Sequence, residues 1–120
     1  MRILVVEDDP LVREFVVEVL RDEGWNVIEA GEGEQALSLC RTTHPDVLVT
    51  DIKLPGRIDG WQIAERCRER YPKLPVIYVT GFSPVEARPV PDSLTLHKPY
   101  HQDRIVEAVR TMGKNKPSFG

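Results

Sequence analysis

The sequence is poor in several things, and each shortage removes a class of function. Only two of its 120 residues are cysteine, which rules out a disulfide-stapled scaffold. The longest apolar runs, such as Ile3–Val6 and Val76–Val79, are far too short to span a bilayer. Met1-Arg2 leads directly into an apolar run and then into Glu7-Asp8-Asp9, so no secretory leader is expected. There is no basic excess either. Sixteen Lys and Arg stand against nineteen Asp and Glu, a net charge of −3, which gives no footprint for nucleic acid or an anionic membrane. Arg66, Arg68, Arg70 and Lys73 cluster locally, but Glu65 and Glu69 interleave them as on a solvated helix face. No glycine-rich loop follows the first apolar run, which disfavours a nucleotide-binding domain.

What remains is a soluble single-domain composition, 41% hydrophobic and 29% charged, at a length that buries a core without staples. Cys40 and Cys67 fall on the apolar stripes of expected helices and read as buried reduced thiols, as in a cytoplasmic protein. Short β-branched runs occur at Ile3–Val6, Val27–Ile28, Val47–Val49, Val76–Val79 and Leu94–Leu96. Helical periodicity lies between them. Asp9-Pro10 places a cap and an N1 proline before Leu11, Phe15, Val19 and Leu20. Glu32 to Cys40 carries Ala36, Leu37 and Cys40 on one face. Asp59 opens a helix that ends near Tyr71-Pro72, and Ile105, Ala108, Val109 and Met112 mark the last one. Strands alternating with helices predict an α/β fold with a parallel sheet covered on both faces. The stretch from Ser83 to Ser93 holds three prolines, leaving room for one helical turn around Val85–Arg88 and no full helix.

In such a sheet, functional groups gather beyond the carboxyl ends of the strands. Strand one ends at Glu7-Asp8, strand three at Asp51, strand four at Thr80-Gly81 and strand five at Lys98-Pro99. Three acids, a hydroxyl and an amine therefore converge on one edge. Crowded carboxylates repel unless a cation intervenes, and hard oxygen ligands suit Mg²⁺. A metal there would neutralise an incoming phosphoryl group, which Asp51 could accept as an acyl phosphate. Lys98 would supply fixed positive charge and Thr80 a hydroxyl hydrogen bond.

The motifs "ILVVEDDP", "DVLVTDIKLPG" with "DGWQIA", "PVIYVTG" and "LHKPY" lie in order from Arg2 to about Met112. Together they resemble the receiver domain of two-component response regulators. The resemblance implies a flavodoxin-like, doubly wound, five-stranded sheet in order 2-1-3-4-5, with residues 1–113 as the receiver domain and 114–120 as a flexible tail. It implies that Asp51 is the phosphoacceptor and that Glu7 and Asp8 are the acidic pair holding Mg²⁺, Asp8 the more direct. The backbone carbonyl of Lys53 would be a further metal ligand, Thr80 the hydroxyl that follows the phosphoryl group, and Lys98 the lysine, before a cis Lys98–Pro99 bond. A sensor histidine kinase or a histidine phosphotransferase would be the donor, and a downstream protein the target, with no direct role for nucleic acid or membrane. The domain would be no enzyme, though it would promote its own phosphorylation and dephosphorylation. It could stand alone, as the Met1 start suggests, or begin a longer regulator.

Three features depart from the common receiver pattern. "LPGRIDG" carries one extra residue, for which Gly56 and Gly60 would provide backbone freedom. The Thr80–Lys98 segment is short, so the family's fourth helix should be truncated or irregular. Thr95 stands where many receivers have a switch aromatic. Tyr78, Phe82 and Tyr100 read as core or loop packing, and His97 as structural. Two other classes compete with this reading. An aspartate-nucleophile phosphatase would need its acid two residues after the nucleophile, where Lys53 stands here. A receiver-shaped interaction module that takes no phosphate is the remaining alternative.

Overall fold

A computed structural model describes residues 1–81 and 87–114. The strands β1 (Arg2–Val6), β2 (Asn26–Ala30), β3 (Val47–Asp51), β4 (Val76–Thr80) and β5 (Leu94–His97) alternate with α1 (Pro10–Arg21), α2 (Gly33–Thr43) and α3 (Gly60–Arg70), and α4 (Gln102–Lys114) follows β5. All strand pairs are parallel and the order is β2-β1-β3-β4-β5. This is the expected doubly wound sheet, in the order implied by the resemblance.

Sequence chemistry explains the elements. Val, Ile and Leu fill both faces of β3 and β4, which are buried at all five positions because helices cover them on each side. The Asp9 side chain accepts from Leu11 N and Val12 N at the start of α1, just before Pro10. Asp59 and Gln62 form a capping box at α3. One core layer joins Ala36 and Cys40 of α2 and Ile63, Ala64 and Cys67 of α3 to Leu4, Leu48, Val76 and Tyr78. The other joins Val16, Val17 and Leu20 of α1 and Ile105, Ala108 and Val109 of α4 to Ile3, Val5, Val49 and Ile77.

Several boundaries differ from the sequence reading. β2 runs through Ala30 because backbone pairing with β1 continues through polar Glu29. The last helix includes Lys114, one residue into the expected tail; the rest of the tail lies outside the described residues. So does half of the helical turn expected at Val85–Arg88, as does Phe82. Among the described residues there are four helices, and Ala87–Ser93 form none. Gly56 has a φ of +87°, the left-handed conformation its loop needs. Gly60 serves a different purpose than the freedom expected of it. A Cβ there would lie 2.1 Å from the Asp51 carbonyl oxygen, so the residue is a matter of space.

Candidate functional site

β3 delivers Asp51 to the carboxyl edge at the sheet centre, between β1 and β4. Its side chain is held from two directions. Ile52 N donates to Oδ1 at 2.7 Å, and Lys98 Nζ approaches Oδ2 at 3.0 Å. Glu7 follows β1 and is equally constrained: Oε1 accepts from Lys98 Nζ at 2.8 Å and Oε2 from Asp9 N at 3.1 Å. Both acids are nearly buried, Glu7 at 6% exposure and Asp51 at 9%. A single ammonium thus bridges two carboxylates that would otherwise repel in a low-dielectric setting.

Burial pushes the Glu7 carboxyl above its ordinary value, against the lowering effect of the Lys98 and Asp9 hydrogen bonds; the nearby Asp51 and Asp8 carboxylates push it up further. Burial would lower Lys98, but its bonds to Glu7 and Asp51 outweigh this and keep it firmly protonated.

Asp8 is exposed and completes the acidic group. Glu7, Asp8 and Asp51 can each offer an oxygen such that all three lie within 4.8 Å of one another. Asp8, Asp51, Lys53, Leu54, Pro55, Gly81 and Lys98 line an open concavity of about 520 Å³ above the sheet edge. Thr80 ends β4 beside this group; it is buried, and its carbonyl accepts from Lys98 N at 2.7 Å. The Lys98–Pro99 peptide is cis, as expected. Glu7, Asp8, Asp51, Lys53, Thr80 and Lys98 therefore lie at one sheet edge, although Glu7 and Thr80 do not line the concavity.

Two supports were not legible in the sequence. Arg13, on α1, donates from Nη1 to the Glu7 carbonyl at 2.8 Å while pairing with Glu29. Only the three-dimensional approach of α1 to the strand end reveals this. The second is Gly60, whose N–H donates to the Ile52 carbonyl at 2.7 Å and whose missing Cβ lets α3 start against the Asp51 backbone.

The family model described as "Response regulator receiver domain" matches residues 3–110. The chain belongs to the response regulator receiver family. Among its relatives is the response regulator receiver protein CpdR of Brucella abortus (strain 2308). It is 33% identical over 115 residues, covering 92% of this chain and 95% of that protein. The probable transcriptional regulatory protein TcrX of Mycobacterium tuberculosis is 41% identical over 86 residues, covering 72% of this chain and 36% of TcrX. The chain spans less than half the length of some curated relatives it matches, TcrX among them. A response regulator receiver protein from Sinorhizobium medicae superimposes with a TM-score of 0.93 at 29% identity, covering 98% and 97% of the two chains. The receiver domain of the hybrid histidine kinase CckA gives 0.82 at 31% identity, covering 93% and 98%. The receiver fold and its relationship to two-component signalling are thereby established. No helix of the described residues is long and apolar enough to cross a membrane.

Tyr78 is fully buried and Tyr100 packs partly against the α1/α4 layer, as expected of structural aromatics. His97 is exposed at the end of β5. Thr95 pairs with Tyr78 in the β4/β5 register.

Proposed function

We propose that this receiver takes a phosphoryl group from a phosphohistidine onto Asp51, and that the change alters a protein-binding face. The observation that carries the reading is Lys98 bridging Glu7 and Asp51 beside Asp8, at the carboxyl end of the central strands. Three clustered hard-oxygen ligands fit Mg²⁺, held by Asp8 and Asp51 at the open concavity and by Glu7 beside them, with the Lys53 backbone carbonyl as a further ligand. Mg²⁺ would supply charge neutralisation at the phosphoryl oxygens.

The chain's own residues account for the remaining steps. The hydrogen bond from Ile52 N and the ion pair to Lys98 fix the Asp51 carboxylate plane. A carboxylate oxygen attacks phosphorus, the P–N bond to imidazole breaks with its electron pair leaving on nitrogen, and an acyl phosphate forms. Lys98 then offers its charge to a phosphoryl oxygen, and Thr80 its hydroxyl to another. Water attack on phosphorus returns Asp51 and inorganic phosphate. The domain so acts on its own side chain and on no separate substrate. The partner is a sensor histidine kinase or a histidine phosphotransferase, with a protein target downstream. Leu11 and Phe15, one turn apart on α1 at 78% and 49% exposure, offer an apolar contact close to the site.

The test is intact mass after incubation with Mg²⁺ and acetyl phosphate. Wild type should gain one phosphoryl group, Asp51→Asn none, and Lys98→Met should react on the order of 10²-fold more slowly. An adduct retained by Asp51→Asn, or none in wild type, overturns the assignment. The second outcome would favour the interaction-module alternative, which Thr95 and the absence of a helix over 87–93 keep open.

A further inference from the structure

On the side of the sheet covered by α2 and α3, two nucleophiles meet that the phosphoryl chemistry does not use. Cys40 on α2 and Cys67 on α3 are free, 3% and 2% exposed, and both belong to the core layer between the two helices. They are 27 positions apart in sequence and come together only because the two helices pack side by side against the same core layer. Two buried thiols in such a layer are ordinarily inert. These two also line a surface concavity of about 580 Å³, whose other walls are Leu37, Arg41, Arg66, Glu69 and Arg70. Three guanidiniums against one carboxylate make that opening electropositive, the setting in which a thiolate is stabilised and reached by a small oxidant.

We propose that Cys40 and Cys67 form a redox-modification site, in which a peroxide entering from the arginine-lined concavity converts the pair to a disulfide joining α2 to α3. The neighbouring Cys67 thiol holds the Cys40 thiol below its ordinary value against the effect of burial, and the Arg70 charge adds to this. The same contact and burial push Cys67 up, so it keeps the proton. In the proposed sequence Cys40, which lines the concavity beside Arg41 and Arg70, is the attacking sulfur. Its thiolate attacks one peroxide oxygen, the O–O bond breaks, and hydroxide leaves, giving a Cys40 sulfenic acid. The Cys67 sulfur then attacks the Cys40 sulfur, the S–O bond breaks, and the Cys67 proton departs with the oxygen as water. Two thiols lose two electrons, and one peroxide becomes two waters. The order of events puts Cys40 as the oxidised residue and Cys67 as the resolving one.

The experiment treats the folded protein with hydrogen peroxide, quenches, unfolds it in N-ethylmaleimide and measures intact mass with peptide mapping. Expected is a monomer lighter by two hydrogens that takes no maleimide, contains a Cys40–Cys67 linked peptide, and reverts with a phosphine reductant. Its thermal transition should lie above that of the reduced protein. Cys67→Ser should stop at a Cys40 sulfenic acid trapped by dimedone, and Arg70→Ala should oxidise more slowly. The proposal is overturned if both thiols remain alkylatable after peroxide, if linkage occurs only between molecules, or if a single cysteine collects oxygens without pairing. Should Cys67→Ser fail to fold, the wild-type peptide map alone decides. None of these readouts involves Asp51.

Discussion

The two sides of the central strand are built to different standards. On the β1/β3 side the two buried acids are each held more than once: Glu7 by Asp9 N–H and Lys98, with its carbonyl held by Arg13, and Asp51 by Ile52 N–H and Lys98. Full helices of 11 and 12 residues make the crossovers there. On the β4/β5 side the described part of the crossover, Ala87–Ser93, has no helix and rests on few anchors. Val90 N donates to the Tyr78 phenol at 3.1 Å, Ser93 Oγ donates to the Val90 carbonyl, and Arg88 pairs with Glu65 of α3. β5 is an edge strand of four residues with only Leu96 buried. Local openings follow the density of buried contacts, so rearrangement should begin in the crossover while the carboxylates stay in place. That division suits the proposed switch. The chemistry needs fixed distances, and the output needs a segment that few interactions restrain.

The largest test of this contrast removes the space on which the rigid side depends. A methyl group at Gly60 would meet the Asp51 carbonyl oxygen at 2.1 Å and the Ile52 Cα at 2.8 Å. Both are backbone atoms that cannot swing aside, so Gly60→Ala must move α3 or the end of β3. The expected cost is about 3 kcal/mol, read as a lower urea midpoint. Gly56→Ala, in the same loop, meets nothing within 4 Å and is opposed only by its φ of +87°; it should cost about 1 kcal/mol. Equal costs for the two substitutions would show that the loop, not the packing of α3 on Asp51, is what the glycines serve.

That pair also shows where sequence reasoning reached and where it stopped. Both glycines were visible, but a sequence does not say whether a glycine supplies an angle or a vacancy, because the atoms that would clash belong to another part of the chain. The strands were legible because they are β-branched runs, and α1 and α3 because Asp9-Pro10 and Asp59 mark their starts. Glu7, Asp8, Asp51, Thr80 and Lys98 were legible because parallel α/β topology sends strand ends to one edge. The strand order came from the family resemblance. Arg13 was invisible, since its partner is a backbone carbonyl that any residue could offer. The limits of β2 were blurred because pairing with β1 tolerates Asn26 and Glu29 at exposed positions.

On the β4/β5 side, Tyr78 is the largest single anchor. Its ring is fully buried against Trp61, with centroids 4.6 Å apart, and its hydroxyl is the acceptor for Val90 N. Tyr78→Phe keeps the ring and leaves a buried amide without its partner, a cost of about 1–2 kcal/mol. Burial raises the Tyr78 phenol above its ordinary value of 10.0. The neutral phenol therefore contributes stability that is complete below about pH 10 and is lost as pH rises through the folded-state value. In urea titrations repeated up the alkaline range, the gap between wild type and Tyr78→Phe should narrow above pH 10. A gap that stays constant would mean that the phenol–Val90 bond does not hold the crossover, and the contrast between the two sides would lose its main support.

The smallest effect belongs to Arg88→Ala. The Arg88–Glu65 pair is short, with Nη2 to Oε1 at 2.7 Å, but its side chains are 51% and 39% exposed. Solvent screens such a pair, and two long side chains lose rotamer freedom to make it, so its net contribution is roughly 0.2–0.5 kcal/mol and falls with added salt. Urea midpoints of wild type and Arg88→Ala should differ slightly at low ionic strength and coincide at high. Hydrogen exchange should be more sensitive than global unfolding, because the pair joins the crossover to α3 without adding to the core. The amides of 87–93 should exchange faster in the variant while those of β3 and β4 do not change. If the β3 amides accelerate as well, the crossover and the carboxylate site open as one unit, and the two sides are not separable.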